Sequence, residues 1–169
     1  MYITNTHERL LQVPAEQAGA LIDTLSSRED RLWPHGSWPE MSLDRPLGPG
    51  ARGGHGPIGY EVEMYKKSQL VRFRFLAPKG FNGFHEFRLI PHDENGVILR
   101  HTLEMRTAGL TTLSWLCIFG PLHDSLLEDA LAKAQHSLGL EPRVVGWSPW
   151  VKLLRRLLAK GKVRPQRIP

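Results

Sequence analysis

The sequence predicts an α+β domain in which an antiparallel sheet is covered by one long C-terminal helix. Two observations carry this. Residues 59–75 and 84–106 each alternate apolar and charged side chains on both sides of a turn, the mark of half-buried hairpins. From Leu110 to Leu138 the period changes to that of a helix. A sheet with one apolar face needs a cover, and this helix is the one element large enough.

In chain order, HERLLQV (7–13) reads as a short strand, and Pro14 opens a helix with Ala18, Leu21, Ile22 and Leu25 on one face. Residues 29–57 are rich in Pro and Gly and read as loop, with a short strand near 41–45. Folding 59–75 at Lys67–Ser68 sets Glu63 against Arg72 and Glu61 against Arg74. The other face then pairs Met64 with Val71, Val62 with Phe73 and Tyr60 with Phe75. Lys-Ser is a poor tight-turn pair, which leaves a longer or bulged turn open. In the second hairpin, Ile90 against Gly96 sets Glu86 opposite Arg100, Phe87 opposite Leu99, Leu89 opposite Val97 and His85 opposite His101. In the helical stretch, Trp115, Phe119, Leu122, Leu126, Ala130 and Ala134 share a face, with Leu116, Leu127 and Leu131 beside them. Pro121 kinks this helix or starts its second part. GLEPRVVGWSPW reads as a linker, WVKLLRRLLAKGK as a basic amphipathic segment and VRPQRIP as a frayed end.

The chain has 169 residues, enough for one domain with an appendage. Its formal charge of +5 is unevenly placed: from Gly139 onward eight Lys and Arg face one acid, Glu141. The body (1–138) is therefore mildly acidic and the tail (139–169) strongly basic. A basic total then gives no argument for nucleic-acid binding. The single cysteine, Cys117, excludes an intrachain disulfide; it has no basic sequence neighbour and reads as a buried structural thiol. MYITNTHERLL lacks a signal-peptide pattern and the run 110–122 is too short to span a bilayer. A cytoplasmic protein is expected.

The element order, the hairpins IGYEVEMY…VRFRF and GFHEFRLIP…VILRHTLEM, and the PLHDSLLEDAL helix resemble the START-related SRPBCC superfamily, in its polyketide cyclase/dehydrase and lipid-transport-like branch. The resemblance covers roughly 5–138. It implies the helix-grip fold, a curved sheet wrapped around the C-terminal helix with an internal cavity. The inward hairpin residues Tyr60, Val62, Met64, Val71, Phe73, Phe75, His85, Phe87, Leu89, Leu99, His101, Leu103 and Met105 would line that cavity, faced by Trp115, Phe119, Leu122 and Leu126 of the helix. The alternative is that large side chains fill the space.

His85 and His101 are the candidates for chemistry: two inward imidazoles could hold a ligand's polar end or act as acid and base, or else be hydrogen-bonded wall residues. His123 could be a polar group at the cavity mouth, although the acids around it read more simply as partners of the helix dipole. No HExxH, paired cysteines or phosphate-cradling glycine loop occurs, so neither a metal nor another cofactor is expected. The glycines of GARGGHGPIG allow tight turning or a flexing lid, and Trp33 and Trp38 would cap the cavity or cover its rim. The tail, with Trp147, Trp150, Leu153, Leu154, Leu157 and Leu158 among basic residues, suits an anionic membrane surface, the acidic body or a protein partner. The leading expectation is a carrier of an apolar small molecule or lipid that needs no catalysis. The rivals are a cyclase, aromatase or dehydratase using His85 or His101, and an interaction protein that engages a membrane or partner through residues 147–160.

Overall fold

A computed structural model describes residues 1–94 and 96–160, the last two by backbone alone; the frayed end expected over VRPQRIP lies outside them. Seven strands form one antiparallel sheet: β1 (Tyr2–Leu11), β2 (Ser42–Leu43), β3 (Arg52–His55), β4 (Ile58–Lys66), β5 (Leu70–Ala77), β6 (Asn82–Asp93) and β7 (Gly96–Arg106), in the order β1-β7-β6-β5-β4-β3-β2. The helices are α1 (Ala15–Asp23), α2 (Leu110–Ser114), a π-helical turn (Trp115–Phe119), α3 (Gly120–Ser137) and α4 (Pro149–Lys160).

The curved sheet packs its apolar face on α1 and α3. Val62, Val71, Phe73, Phe87 and Leu99 of the strands meet Leu21 and Ile22 of α1 and Leu127 and Leu131 of α3 in one buried core. Alternation along each strand supplies one face and the i, i+3/i+4 rows supply the other. Gly19 lets α1 approach closely, because a Cβ there would stand 2.4 Å from the Ser68 carbonyl oxygen. Asp23 fixes the contact by accepting bonds from the Ser68 N–H (2.7 Å), the Ser68 hydroxyl (2.7 Å) and the Tyr65 hydroxyl (2.8 Å).

Both hairpins depart from the expected register. β4 and β5 keep Tyr60↔Phe75, Glu61↔Arg74 and Val62↔Phe73, but a bulge follows and Lys66 pairs with Leu70. The turn therefore has three residues, with Ser68 at φ 58° and the Gln69 N–H donating to Lys66. Beyond the bulge Met64 faces Arg72 instead of Val71 and is 39 % exposed, so it does not line an interior. Glu63 pairs with Arg74, while Arg72 pairs with Glu86 of β6 at 2.7 Å.

β6 and β7 are shifted by two residues: Phe87 faces His101, Leu89 faces Leu99 and His85 faces Leu103. The expected loop was too long; β6 runs through an irregularity at Pro91–Asp93, and Asp93 pairs with Gly96 across a tighter turn. A shift of two keeps every side chain on its own face. Arg100 is paired with Glu8 of β1 rather than with Glu86.

The proline-rich stretch holds more strand than its composition suggests. GARGGHGPIG is not a free lid: β3 turns into β4 over Gly56–Pro57, with Gly56 at φ 53°. The Pro121 break is where α3 begins, but the helix before it is π-helical. The extra residue in that turn rotates Leu116 outward to 54 % exposure. Pro121 has no N–H for the carbonyl of Cys117 four residues earlier. The Trp150 indole of α4 donates to that carbonyl at 2.7 Å. Cys117 is exposed, not buried as expected, because this turn faces outward.

Candidate functional site

A cavity of about 700 Å³ lies between the sheet, the helices and the loops at one end of the core. Phe75 of β5, His85 of β6 and His101 and Leu103 of β7 line it from the sheet. Trp115, Ile118, Phe119, Leu122, His123, Leu126 and Leu127 line it from the helix, and Trp33, Ser37, Trp38 and Pro39 from the loop before β2. The β3–β4 turn adds His55 to Ile58, and α4 adds Arg155 and Leu158.

Of the residues expected at a cavity wall, Phe75, His85, His101, Leu103, Trp115, Phe119, Leu122 and Leu126 are on it. Tyr60, Val62, Val71, Phe73, Phe87 and Leu99 are instead buried in the core between the sheet, α1 and α3, with Leu89 packed against it. Met105 lies in the second cluster with Ile3, Phe81 and Trp115. Alternation identified the inward face, but α1 and α3 fill one end of it solidly and leave the other end hollow.

His85 and His101 are 5 % and 2 % exposed. They are diagonal rather than opposed, and His85 Nδ1 and His101 Nε2 lie 3.2 Å apart, so one donates to the other. The Phe73 ring stacks on His85 with centroids 5.0 Å apart, and Phe87 meets His101 edge-on at 4.7 Å. Burial holds both imidazoles well below their usual pKa, so both are neutral at physiological pH. The remaining nitrogens, His85 Nε2 and His101 Nδ1, have no protein group within hydrogen-bonding reach. His55 Nδ1 is 3.2 Å from the Tyr60 hydroxyl, and burial lowers its pKa to about 3.

His123 joins this group, its ring 5.1 Å from that of His101. Burial keeps it neutral against the opposing pull of Asp124. The acids next to it are not dipole partners: α3 has no acid in its first turn, and each acid has a specific mate. Asp124 accepts from Asn5 (2.8 Å) and meets His7 Nε2 (3.1 Å). Glu128 meets His7 Nδ1 (2.9 Å) and Arg9 (2.6 Å). Asp129 accepts from the indoles of Trp38 (2.7 Å) and Trp147 (2.9 Å). Burial opposes a charged His7, but the bonds to Asp124 and Glu128 prevail and raise its pKa. One ligating atom from each of His7, His123 and Asp124 lies within 4.8 Å of the others. Sequence spacing gave no sign of this, because His7 is on β1 and the other two are on α3.

α4 closes the site from outside. Val151 and Leu154 are buried (2 % and 6 % exposed), and the Arg155 guanidinium lies over the rings of both Trp38 (4.3 Å) and Trp147 (3.9 Å) and donates to the Ser37 carbonyl. Both rings hold the cation, so the basic tail packs on the domain through this residue.

No protein-family model and no curated protein matches the chain. Solved structures do. A protein from Thermobifida fusca is similar at 16% identity over 84% of this chain and 99% of its own, with a TM-score of 0.62. CalU16 from Micromonospora echinospora is similar at 13% identity over 94% and 84%, TM-score 0.57. Norcoclaurine synthase from Thalictrum flavum, in complex with dopamine and hydroxybenzaldehyde, is similar at 12% identity over 85% and 90%, TM-score 0.61. The chain has the helix-grip fold. At these identities the likeness concerns the fold and is consistent with small-molecule binding.

Proposed function

We propose that this protein is a carrier of an apolar small molecule or lipid, a member of the SRPBCC superfamily that holds its ligand in the cavity without needing to transform it. The supporting observation is the lining: apolar and aromatic walls, with two buried histidines whose outer nitrogens lack protein partners. Such a surface takes an apolar body and bonds one polar group at the His85–His101 pair. The exposed faces around α4 fit delivery from an anionic membrane. Leu110, Leu113, Leu116, Trp150, Leu153 and Leu157 are all exposed, with Lys152 and Arg156 on the same helix as the last three. Among the described residues no helix is long and apolar enough to cross a membrane. A peripheral, cytoplasmic carrier fits these features.

Native mass spectrometry with organic extraction tests the reading. A defined apolar ligand near one per chain is expected, and Leu122→Trp, which fills the cavity, should lower its occupancy. An empty protein that also fails to take up lipids and aromatic polyketides overturns it.

The second reading is an enzyme in which His85 and His101 exchange a proton with the ligand. The 3.2 Å contact between two neutral imidazoles favours it, since each can relay the other's proton. His85→Gln and His101→Gln separate the two readings: a carrier keeps its ligand in both variants, whereas an enzyme keeps binding and loses turnover.

A further inference from the structure

On β1, Asn5, His7 and Arg9 alternate and so share the face turned to α3, where His123 and Asp124 are followed one turn later by Glu128. His7 Nε2 lies 3.1 Å from Asp124 Oδ1, and His123 Nδ1 lies 3.8 Å from the same oxygen. Donor atoms around an ion held at about 2.0–2.2 Å sit roughly 3–3.5 Å apart; the first distance lies in that range and the second is slightly longer. Both nitrogens of His123 are buried and have no hydrogen-bond partner in the protein, and the same is true of Asn5 Oδ1 beside them. Three orphaned donor or acceptor atoms at one place are costly unless something coordinates them.

We propose that His7, His123 and Asp124 form a binding site for a divalent transition-metal ion such as Zn²⁺ or Fe²⁺. Two imidazoles and one carboxylate form the ligand set that borderline ions of this class accept, with positions left for further ligands. The outer groups match such a site. Glu128 holds His7 Nδ1 at 2.9 Å, which orients Nε2 toward Asp124, and Arg9 fixes Glu128 at 2.6 Å. Asp124 is 51 % exposed, so an ion can enter from solvent, while His123 is on the cavity wall. The ion would therefore stand at the cavity rim, with an open position within reach of a bound molecule. The site is independent of what the cavity carries, and it can be tested on protein with no organic ligand.

The full chain, treated with chelator and dialysed, is titrated with Zn²⁺ by calorimetry and with Co²⁺ by visible absorption and NMR. One ion per chain is expected, with paramagnetically shifted imidazole signals from His7 and His123 in the unmodified protein. His123→Leu removes a ring whose nitrogens make no hydrogen bond, so the variant should fold, as circular dichroism will check, and lose stoichiometric binding. Asp124→Asn should lose it too, and Glu128→Gln should weaken it about 10–100-fold. His92→Gln, on an exposed strand end, should leave it unchanged. No saturable binding by the unmodified chain, shifted signals from other histidines, or undiminished binding in folded His123→Leu overturns the proposal.

Discussion

His85 and His101 are buried at the cavity wall and joined by one hydrogen bond between their rings, although their backbones are not opposed in the sheet. Each is the other's protein partner, and this makes their energies interdependent. His101→Leu leaves His85 Nδ1 unpaired and buried and should cost about 1–3 kcal/mol. The double change to apolar residues leaves no orphan and should cost less than the sum of the single changes. A double-mutant cycle by urea denaturation reads the difference.

The protein should be acid-labile. Burial depresses His55, His85, His101 and His123, so below the unfolded value of 6.5 the unfolded chain binds protons that the folded chain refuses. The stability these groups allow is fully present above pH 6.5 and is lost as pH falls toward their folded values, about 3 for His55. His7 has the opposite sign. Its raised pKa gives stability that is complete below 6.5 and lost as pH rises through the folded value. Urea midpoints from pH 5 to 9 should peak between these two limbs, and His7→Gln should flatten only the alkaline one.

Gly19→Ala should be among the most damaging single-methyl changes. The added Cβ meets the Ser68 backbone at 2.4 Å, and backbone cannot rotate aside. Lifting α1 off the β4–β5 turn also stretches the three bonds to Asp23. A loss of about 1–3 kcal/mol or more is expected, seen as a lower melting temperature.

Trp150→Phe keeps most of the ring and removes the N–H that serves the Cys117 carbonyl before Pro121. The cost should be about 0.5–1.5 kcal/mol. Hydrogen exchange should show faster opening of α4 and of the π turn, with the β1–β7 pairing unaffected.

Arg155→Ala removes the cation over Trp38 and Trp147 and part of the cavity lining together. Tryptophan quenching by acrylamide should rise, and an apolar dye should enter faster than in the unmodified protein.

The fold was legible in the sequence because it rests on local periodicity. Alternation in 59–75 and 84–106 and the helical rows after Leu110 each name a buried face, and an antiparallel sheet with a covering helix follows from those faces; β3 (Arg52–His55), in the stretch read as loop, does not. The inward side of His85 and His101 survived even a two-residue register error, because the strand period is two. Bulges and turn lengths were not legible: a bulge between Val62 and Met64 takes Met64 off its face, and the three-residue turn sets Ser68 left-handed against Asp23.

The sequence by itself determined the order of the main elements, the apolar faces and the candidate histidine pair. Tertiary structure decided which part of the apolar face is solid and which is hollow, because that depends on how far α1, α3 and α4 reach over it. It also decided that His7 meets His123 and Asp124, and that Arg155 lies over two tryptophans. Contacts between distant segments depend on how whole elements pack, and no local period records them.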